Sequence, residues 1–317
     1  MTTRPAAGPG WGYLCIVTAA VLWAISGSSA KFLFNRGITP FAVVQMRLTL
    51  AAAVLLGWLI LRRRDLMVVA RRDVFYFAAL GIFGVALNQF TYLFTISRIN
   101  VAAAILLQYL GPSLIAIYLV TFARERLSRL TVAAIVGATI GCYLVVGAYR
   151  LSVVQLNGLG IVSGLLSAVS FAAYSLMSEY GMRRYNPWTV LLFAFGFAAV
   201  VWNLLHPPLS GFRGGYGPIE WLWIGYIGIL GTLVPFGLYL EGINRVRATR
   251  ASVTATLEPI TAGVFSYIFL GETMAPLQIF GGVLVIGSVI LLQVRRELDT
   301  QAPARIRARA AELEGRP

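Results

Sequence analysis

Five long apolar stretches in the first half of the chain recur in the same order in the second half, at a shift of about 147 residues. The clearest marker is Leu110-Gly111-Pro112 with Glu125 downstream, which is matched by Leu257-Glu258-Pro259 with Glu272 downstream. Because each half holds an odd number of stretches, the second copy would cross a membrane in the opposite orientation. The repeat therefore predicts two inverted five-helix units, an architecture that is typical of secondary transporters.

The composition indicates a membrane protein. Hydrophobic residues make up 58% of the 317 residues and charged residues only 12%, which is unlike a soluble domain. A helix needs about 20 apolar residues to cross a hydrocarbon core of roughly 30 Å. The runs are continuously apolar rather than alternating, so helices are expected and a barrel is not. We predict an all-α polytopic protein with ten transmembrane helices at 11–34, 41–61, 74–96, 101–122, 130–149, 156–180, 188–205, 221–240, 251–270 and 277–294.

The spans define the expected domain organisation. The first repeat covers residues 11–150, the second covers 156–294, and 295–317 forms a tail that is rich in Arg, Ala and Glu. Such a polar tail is expected to be disordered or weakly helical against the lipid headgroups. The first apolar run is longer than a signal-peptide core, so it is interpreted as helix 1.

The net charge of +14 is distributed unevenly along the chain. Of the 26 Lys and Arg residues, 20 fall in the termini and the loops of one side. The positive-inside rule then places both termini in the cytoplasm. Because topology and headgroup contacts explain these residues, no nucleic-acid partner is predicted.

Several kinds of chemistry lack the residues that they need. Cys15 and Cys142 lie inside predicted spans and His206 is the only histidine, so neither a disulfide framework nor a metal cluster is expected. The chain also has no Walker A, His-Glu-x-x-His or Gly-x-Ser-x-Gly pattern. We predict no enzyme activity, no cofactor and no ATP drive.

Glu258 lies eight residues beyond Arg250, which places it roughly 12 Å deep in the membrane. A charge at that depth is costly, so such residues usually face the bundle interior or a water-filled path. Two interpretations remain open: a carboxyl that responds to protons or substrate, and a buried glutamate that holds the kinked helix at Pro259. Gly111 occupies the equivalent position in the first half, so only one repeat supplies an acid.

Three prolines lie within predicted spans: Pro112, Pro235 and Pro259. Each removes a backbone donor and leaves a carbonyl group unpaired near the middle of the membrane. These positions predict either static kinks or hinges beside a cavity. Arg47 lies about six residues into helix 2, and we favour an arginine that extends to the outer interface over one that binds a substrate carboxylate or an acidic residue. Glu179, near the inner end of helix 6, is likewise expected at an interface.

A cluster of polar and aromatic residues is predicted at mid-depth on several helices. Any single Asn or Gln is explained as a hydrogen-bonding contact between helices, and an indole in mid-membrane is explained equally well by core packing. The cluster as a whole suits a pocket for amphipathic or aromatic solutes. The predicted cavity residues are Trp23, Ser26, Asn88, Gln89, Tyr92, Gln108, Tyr109, Tyr174, Tyr239 and Glu258.

These motifs resemble the paired EamA domains of the drug/metabolite transporter (DMT) superfamily, over about residues 11–294. The pattern is most similar to that of the YddG-type aromatic amino acid exporters. The residues that carry the resemblance are Pro112 through Glu125 to Gly141, with Glu258-Pro259, Phe269-Leu270-Gly271-Glu272 and Gln278 through Gly287 in the second half.

The resemblance implies a ten-helix carrier in the bacterial inner membrane that exports amino acids or related metabolites. We predict a monomer that works by alternating access. Its cavity would be lined by helices 1, 3, 4, 6, 8 and 9, with helices 5 and 10 peripheral. The four-helix multidrug members use a glutamate in helix 1, where this chain has Trp23 and Ser26, so their antiport mechanism does not transfer. Export of drugs or hydrophobic cations by proton antiport is the alternative, and a non-transporting receptor or scaffold is a second one.

Overall fold

The computed structural model describes residues 9–99, 101–149, 157–270, 275–294 and 302–314. Glu272 and the predicted domain ends at Arg150 and Leu156 lie outside the described residues. Within the described part, eight helices are long and apolar enough to cross a membrane, and a shorter apolar helix covers Pro276–Leu292. The prediction of an all-α polytopic membrane protein is confirmed.

The first half forms five helices that begin and end at recognisable signals. The side chain of Thr39 caps the start of helix α2, where Pro40 is the first residue, and a left-handed glycine, Gly147, follows α5. In order, they are α1 (Pro9–Asn35), α2 (Pro40–Arg62), α3 (Val74–Ala79, a π-helical segment Leu80–Ala86, and Leu87–Arg98), α4 (Val101–Gln108 and Gly111–Thr121) and α5 (Arg129–Val146).

The second half repeats this order and adds a terminal helix. Helix α8 continues without a loop until the backbone breaks at Arg247, where φ is 68° and ψ is 163°, and α9 starts immediately afterwards. In order, the helices are α6 (Gly158–Gly181), α7 (Pro187–Leu205), α8 (Pro218–Gly228, a π-helical segment Ile229–Leu233, and the part of Val234–Ala255 before the break), α9 (the remainder and Leu257–Leu270), α10 (Pro276–Val294) and α11 (Pro303–Glu314).

Two of the sequence predictions differ from this arrangement. The stretch 241–250 was expected to be a loop between helices 8 and 9, but it is helical on both sides of Arg247. The tail was expected to be disordered or weakly helical, yet α11 packs against α8 and donates hydrogen bonds from Arg307 to the backbone of Met182 and Tyr185. Packing against neighbouring segments overrides the polar composition in both cases.

Irregular backbone occurs at equivalent places in the two halves. The π-helical segments of α3 and α8 overlap at a shift of about 147 residues, and α4 and α9 are interrupted at Tyr109 and Thr256 respectively. A π segment leaves carbonyl groups without their usual helical partner. Here the carbonyl oxygen of Ala86 accepts a hydrogen bond from the Trp202 indole, and that of Gly231 accepts one from Arg47.

The three predicted kink residues all lie next to these irregularities. Pro112 is in the first turn after the interruption of α4, and Pro259 is in the first turn after Thr256. Pro235 is the second residue after the π segment of α8. A proline is tolerated at these positions because the first turn of a helix has no use for its missing amide hydrogen. Whether they act as hinges stays a prediction.

Close helix contacts depend on glycine at a few positions. Helices α5 and α10 pack against each other, and a Cβ atom at Gly281 would lie 2.7 Å from the carbonyl oxygen of Gly141. Their other faces expose Val132, Val136, Val283 and Ile286. The α5–α10 pair therefore lies at the periphery, and the remaining helices form the centre of the bundle.

Candidate functional site

A central cavity lies between helices α1, α2, α3, α4, α6, α8 and α9. Eight of the ten predicted cavity residues contribute to its wall, so residues that are far apart in the sequence meet at one place. The lining residues are Trp23, Ser26, Gly27, Arg47, Asn88, Gln89, Tyr92, Leu93, Gln108, Tyr109, Phe171, Phe236 and Glu258.

The other two predicted residues, Tyr174 and Tyr239, are fully buried behind this wall. They form part of an aromatic cluster in which the Trp23 ring centroid lies 5.1 Å from that of Phe236 and 5.3 Å from that of Tyr239. The indole nitrogen of Trp23 and the hydroxyl group of Tyr174 are buried without a hydrogen-bond partner. The aromatic cluster closes the cavity on the side where α1 begins, which we call the N-terminal face.

Arg47 points into the cavity and does not reach the interface. The residue is only 3% exposed. Its backbone lies about 10 Å from the N-terminal end of α2, because it follows Pro40 by seven residues. Its Nε donates to the Thr232 hydroxyl at 2.7 Å and its Nη2 to the Gly231 carbonyl oxygen at 3.1 Å. The prediction that Arg47 extends to the outer interface is therefore wrong, because the π segment of α8 offers hydrogen-bond acceptors inside the bundle.

Glu258 lies in the first turn of the second part of α9 and is 4% exposed. The hydroxyl group of Tyr109 lies 2.8 Å from Glu258 Oε2 and 2.6 Å from the Ala255 carbonyl oxygen. A phenol has one hydrogen to donate. If Glu258 carries a proton and donates it to the Tyr109 oxygen, both contacts are full hydrogen bonds; if it is ionised, the single phenol hydrogen is shared between two acceptors.

Tyr92 brings the two charged residues into one site. Its hydroxyl group lies near enough to both Glu258 and Arg47 for either charge to act on it, yet it makes no hydrogen bond of normal geometry and is buried. Arg47 and Glu258 are not joined by an ion pair in the part of the chain that the structure describes. The cavity thus has a cationic wall and a carboxyl wall with an unpartnered hydroxyl between them.

The remaining polar residues differ in their roles. Asn88 donates to the Ser167 carbonyl oxygen at 3.1 Å, so its amide joins α3 to α6 as expected of a hydrogen bond between helices. Gln89 and Gln108 line the cavity from α3 and α4. Among the described residues, no group of three or more His, Cys, Asp or Glu side chains could hold a metal ion.

Ion pairs join the two halves of the chain at the N-terminal face. Arg247 contacts Glu125 through two hydrogen bonds, at 2.9 and 3.0 Å, and contacts Glu179 at 2.9 Å. The backbone amide of Ala248 also donates to Glu179 at 2.7 Å. Glu179 is 4% exposed, so it is part of an internal network and not of an interface as expected. We call Glu125, Glu179 and Arg247 the N-terminal-face cluster.

Further contacts close the same face. Tyr185 donates to Asp73 at 2.5 Å, and burial, followed by this hydrogen bond, raises the pKa of the Tyr185 phenol. Arg307 of α11 donates to Asn244 at 2.9 Å, and burial lowers the pKa of its guanidinium. At the opposite face, Arg36 and Glu220 form a more exposed ion pair at 2.6 Å. Gln45 and Asn203 also form a hydrogen bond with each other at that opposite face.

Comparison with known proteins agrees with the fold. The model of the EamA-like transporter family matches twice, at residues 10–147 and 158–294. The chain belongs to the EamA-like transporter family. A transporter of Archaeoglobus fulgidus is 30% identical over 285 residues, which are 89% of this chain and 96% of that protein.

Two further relatives and one solved structure were found. The inner membrane transporter YicL of Salmonella typhimurium is 26% identical, over 93% of this chain and 97% of its own length. The threonine/homoserine exporter RhtA of Escherichia coli is 24% identical, over 94% and 96%. A crystal structure with a TM-score of 0.72 and 21% identity covers 91% of this chain and 98% of its own and shows the shared fold.

The sequence alone missed five lining residues: Gly27, Arg47, Leu93, Phe171 and Phe236. The apolar ones look like any other core residue in a membrane helix. Arg47 could have been found, since an arginine several residues inside an apolar span already suggests a buried role. Its direction, however, depends on the acceptors of α8.

Proposed function

We propose that this protein is a secondary transporter that exports small metabolites across the bacterial inner membrane. The substrates that we favour are amino acids, including aromatic ones. Both termini would be cytoplasmic, which makes the N-terminal face the cytoplasmic one, and the protein would act as a monomer without a cofactor. The central cavity carries this proposal, because it combines aromatic rings, side-chain amides and two buried ionisable residues at the boundary of the two halves.

The chemistry of the lining supports an amphipathic solute. Trp23, Phe171 and Phe236 offer apolar ring surface, whereas Gln89 and Gln108 offer donors and acceptors. Binding pockets commonly combine such apolar walls with a few polar groups that orient the ligand. The similarity to a threonine/homoserine exporter is consistent with an amino acid substrate.

Alternating access is the mechanism that we infer. The N-terminal face is closed by two layers, the aromatic cluster below the cavity and the N-terminal-face cluster of ion pairs. Arg247 belongs to the second repeat and Glu125 to the first, so opening this face requires the repeats to separate there. The repeated interruptions of α4 and α9 would allow such a motion, with Pro112, Pro235 and Pro259 as hinges.

Transport by purified protein in proteoliposomes tests the proposal. Radiolabelled tryptophan, phenylalanine, threonine and a lipophilic cation would be followed with and without a pH gradient, against empty liposomes. We expect flux of at least one amino acid well above the empty control. Flux of the cation with no amino acid flux would contradict the amino acid assignment.

Export of hydrophobic cations by proton antiport is the second candidate, favoured by the presence of Glu258 in the cavity wall. In that case cation flux would depend on the pH gradient and would be lost in Glu258→Gln. Amino acid flux that is independent of the gradient would instead identify a facilitator.

A further inference from the structure

Arg47 and Glu258 divide the cavity into two halves of opposite chemistry. Both side chains line the same cavity, both residues are less than 5% exposed at 3% and 4%, and each comes from a different repeat. A buried guanidinium and a buried carboxyl that are not paired with each other leave hydrogen-bonding groups without partners. Burying such groups costs free energy unless a ligand or water binds them.

The guanidinium of Arg47 has an unused donor. Nε and Nη2 bind the Thr232 hydroxyl and the Gly231 carbonyl oxygen, and Nη1 makes no hydrogen bond with any described residue. The two bonds fix the plane of the guanidinium against α8. An arginine held in this way is suited to a carboxylate, which accepts parallel hydrogen bonds from a guanidinium.

Glu258 offers the complementary group. Oε2 contacts the Tyr109 hydroxyl, and the Tyr92 hydroxyl also lies close to this carboxyl group. An ammonium group can donate to such a carboxylate. The hydroxyl group of Tyr92, buried between the two charges without a hydrogen-bond partner, could then donate to a ligand carboxylate beside Arg47.

We propose that this cavity binds zwitterions in one orientation, with Arg47 and Tyr92 on the α-carboxylate and Glu258 on the α-ammonium of an amino acid. The proposal rests on the transport function above and adds the polarity of binding. The side chain of the substrate would lie against the rings of Trp23, Phe171 and Phe236. Both charged groups of the substrate are then required, and the repeats differ because only the second one carries the glutamate.

Binding of three related ligands to the detergent-purified protein tests the orientation. Tryptophan has both groups, tryptamine lacks the carboxylate and indole-3-propionate lacks the ammonium. For the wild type, we expect each analogue to bind about 10- to 100-fold more weakly than tryptophan, as the loss of a charge-assisted hydrogen bond predicts.

Two variants make the test specific. In Arg47→Gln, tryptophan and tryptamine should bind about equally, while indole-3-propionate stays weaker. In Glu258→Gln, tryptophan and indole-3-propionate should bind about equally, while tryptamine stays weaker. Arg98→Gln and Glu312→Gln, which change exposed residues, are the matched controls and should keep the wild-type order. Tyr92→Phe and Arg47→Lys serve if Arg47→Gln does not fold, and both should selectively weaken ligands that carry a carboxylate.

The outcomes separate the two proposals. If the wild type neither binds nor transports any amino acid, the transport function itself is wrong. If the wild type transports tryptophan but each variant weakens both analogues by the same factor, transport stands and the oriented site is overturned.

Discussion

Arg247 and Glu125 form a two-point ion pair at 2.9 and 3.0 Å that joins the second repeat to the first. The sequence separates these residues by more than a hundred positions; Arg247 lies at the break between α8 and α9, and Glu125 lies in the connection between α4 and α5. Arg247 adopts a backbone conformation with φ of 68° that costs free energy for a side chain other than glycine. The contacts of its guanidinium with two carboxylates stabilise that conformation.

Loss of this ion pair should open the N-terminal face. The reporter is a cysteine introduced as Ser252→Cys in a variant without Cys15 and Cys142. We expect this cysteine to react with a membrane-impermeant thiol reagent about tenfold faster when Arg247→Gln is also present than when Arg247 is kept. Ser252 is fully buried on α9 between the cluster and the cavity. A tenfold change corresponds to a shift of about 1.4 kcal/mol between closed and open states.

Arg183→Gln is the control for that measurement, since Arg183 contacts Glu179 only at 3.8 Å and is more exposed. Its labelling rate should stay close to the wild-type value. Equal rates in Arg247→Gln and wild type would show that the ion pair does not hold this face closed.

Space around Tyr92 should limit substrate binding. A Cβ atom at Gly27 would lie 3.3 Å from the Tyr92 hydroxyl oxygen and 3.5 Å from Val101. Gly27→Ala should therefore raise the KM for amino acid transport several-fold, with little loss of stability, because one added methyl group displaces the hydroxyl from its position. Gly57→Ala on α2, where nothing lies within 4 Å, should leave the KM unchanged. An unchanged KM in Gly27→Ala as well would argue against a ligand at Tyr92.

The α5–α10 contact should depend on one of two adjacent glycines. A methyl group at Gly281 would lie 2.7 Å from a carbonyl oxygen of α5, whereas nothing lies within 4 Å of one at Gly282. We expect Gly281→Ala to lower the free energy of unfolding by about 1–3 kcal/mol and Gly282→Ala to leave it nearly unchanged. Thermal denaturation of the detergent-purified variants measures the difference. A similar loss in both variants would contradict the close packing of these helices.

Amino acid binding should release protons from Glu258. The Tyr109 contacts are both satisfied when Glu258 is protonated, and an ammonium ligand would replace that proton. A pH indicator in weak buffer should therefore report roughly one proton released per amino acid bound by the wild type, and close to none by Glu258→Gln. Tyr92, Tyr109 and Cys142 also interact with Glu258 electrostatically, and Arg47 lines the same cavity.

Cys142→Ser is the control for proton release, because it changes a neighbour of Glu258 and leaves the carboxyl in place. It should release protons as the wild type does. Binding by the wild type without proton release would mean that Glu258 is already ionised in the empty cavity.

Much of the architecture followed from the amino acid pattern. Apolar run length determines where a helix can cross a membrane, so most helix ends that the structure describes were predicted within a few residues. The shift of about 147 residues predicted two related halves, and the family model matches the chain twice. Polar residues at mid-depth, such as Gln89, Tyr109 and Glu258, indicated the cavity wall. These inferences need only the cost of placing polar groups in hydrocarbon.

The features that escaped prediction depend on contacts between distant segments. Arg47 has a side chain long enough to reach either the interface or the bundle interior, and the choice was made by the carbonyl group that the π segment of α8 leaves free at Gly231. The continuation of α8 to Arg247 likewise depends on Glu125 and Glu179, which no local pattern connects to it. Hydrophobicity decides where a helix lies along the chain, whereas the partners of its few charged groups are known only once the helices have packed.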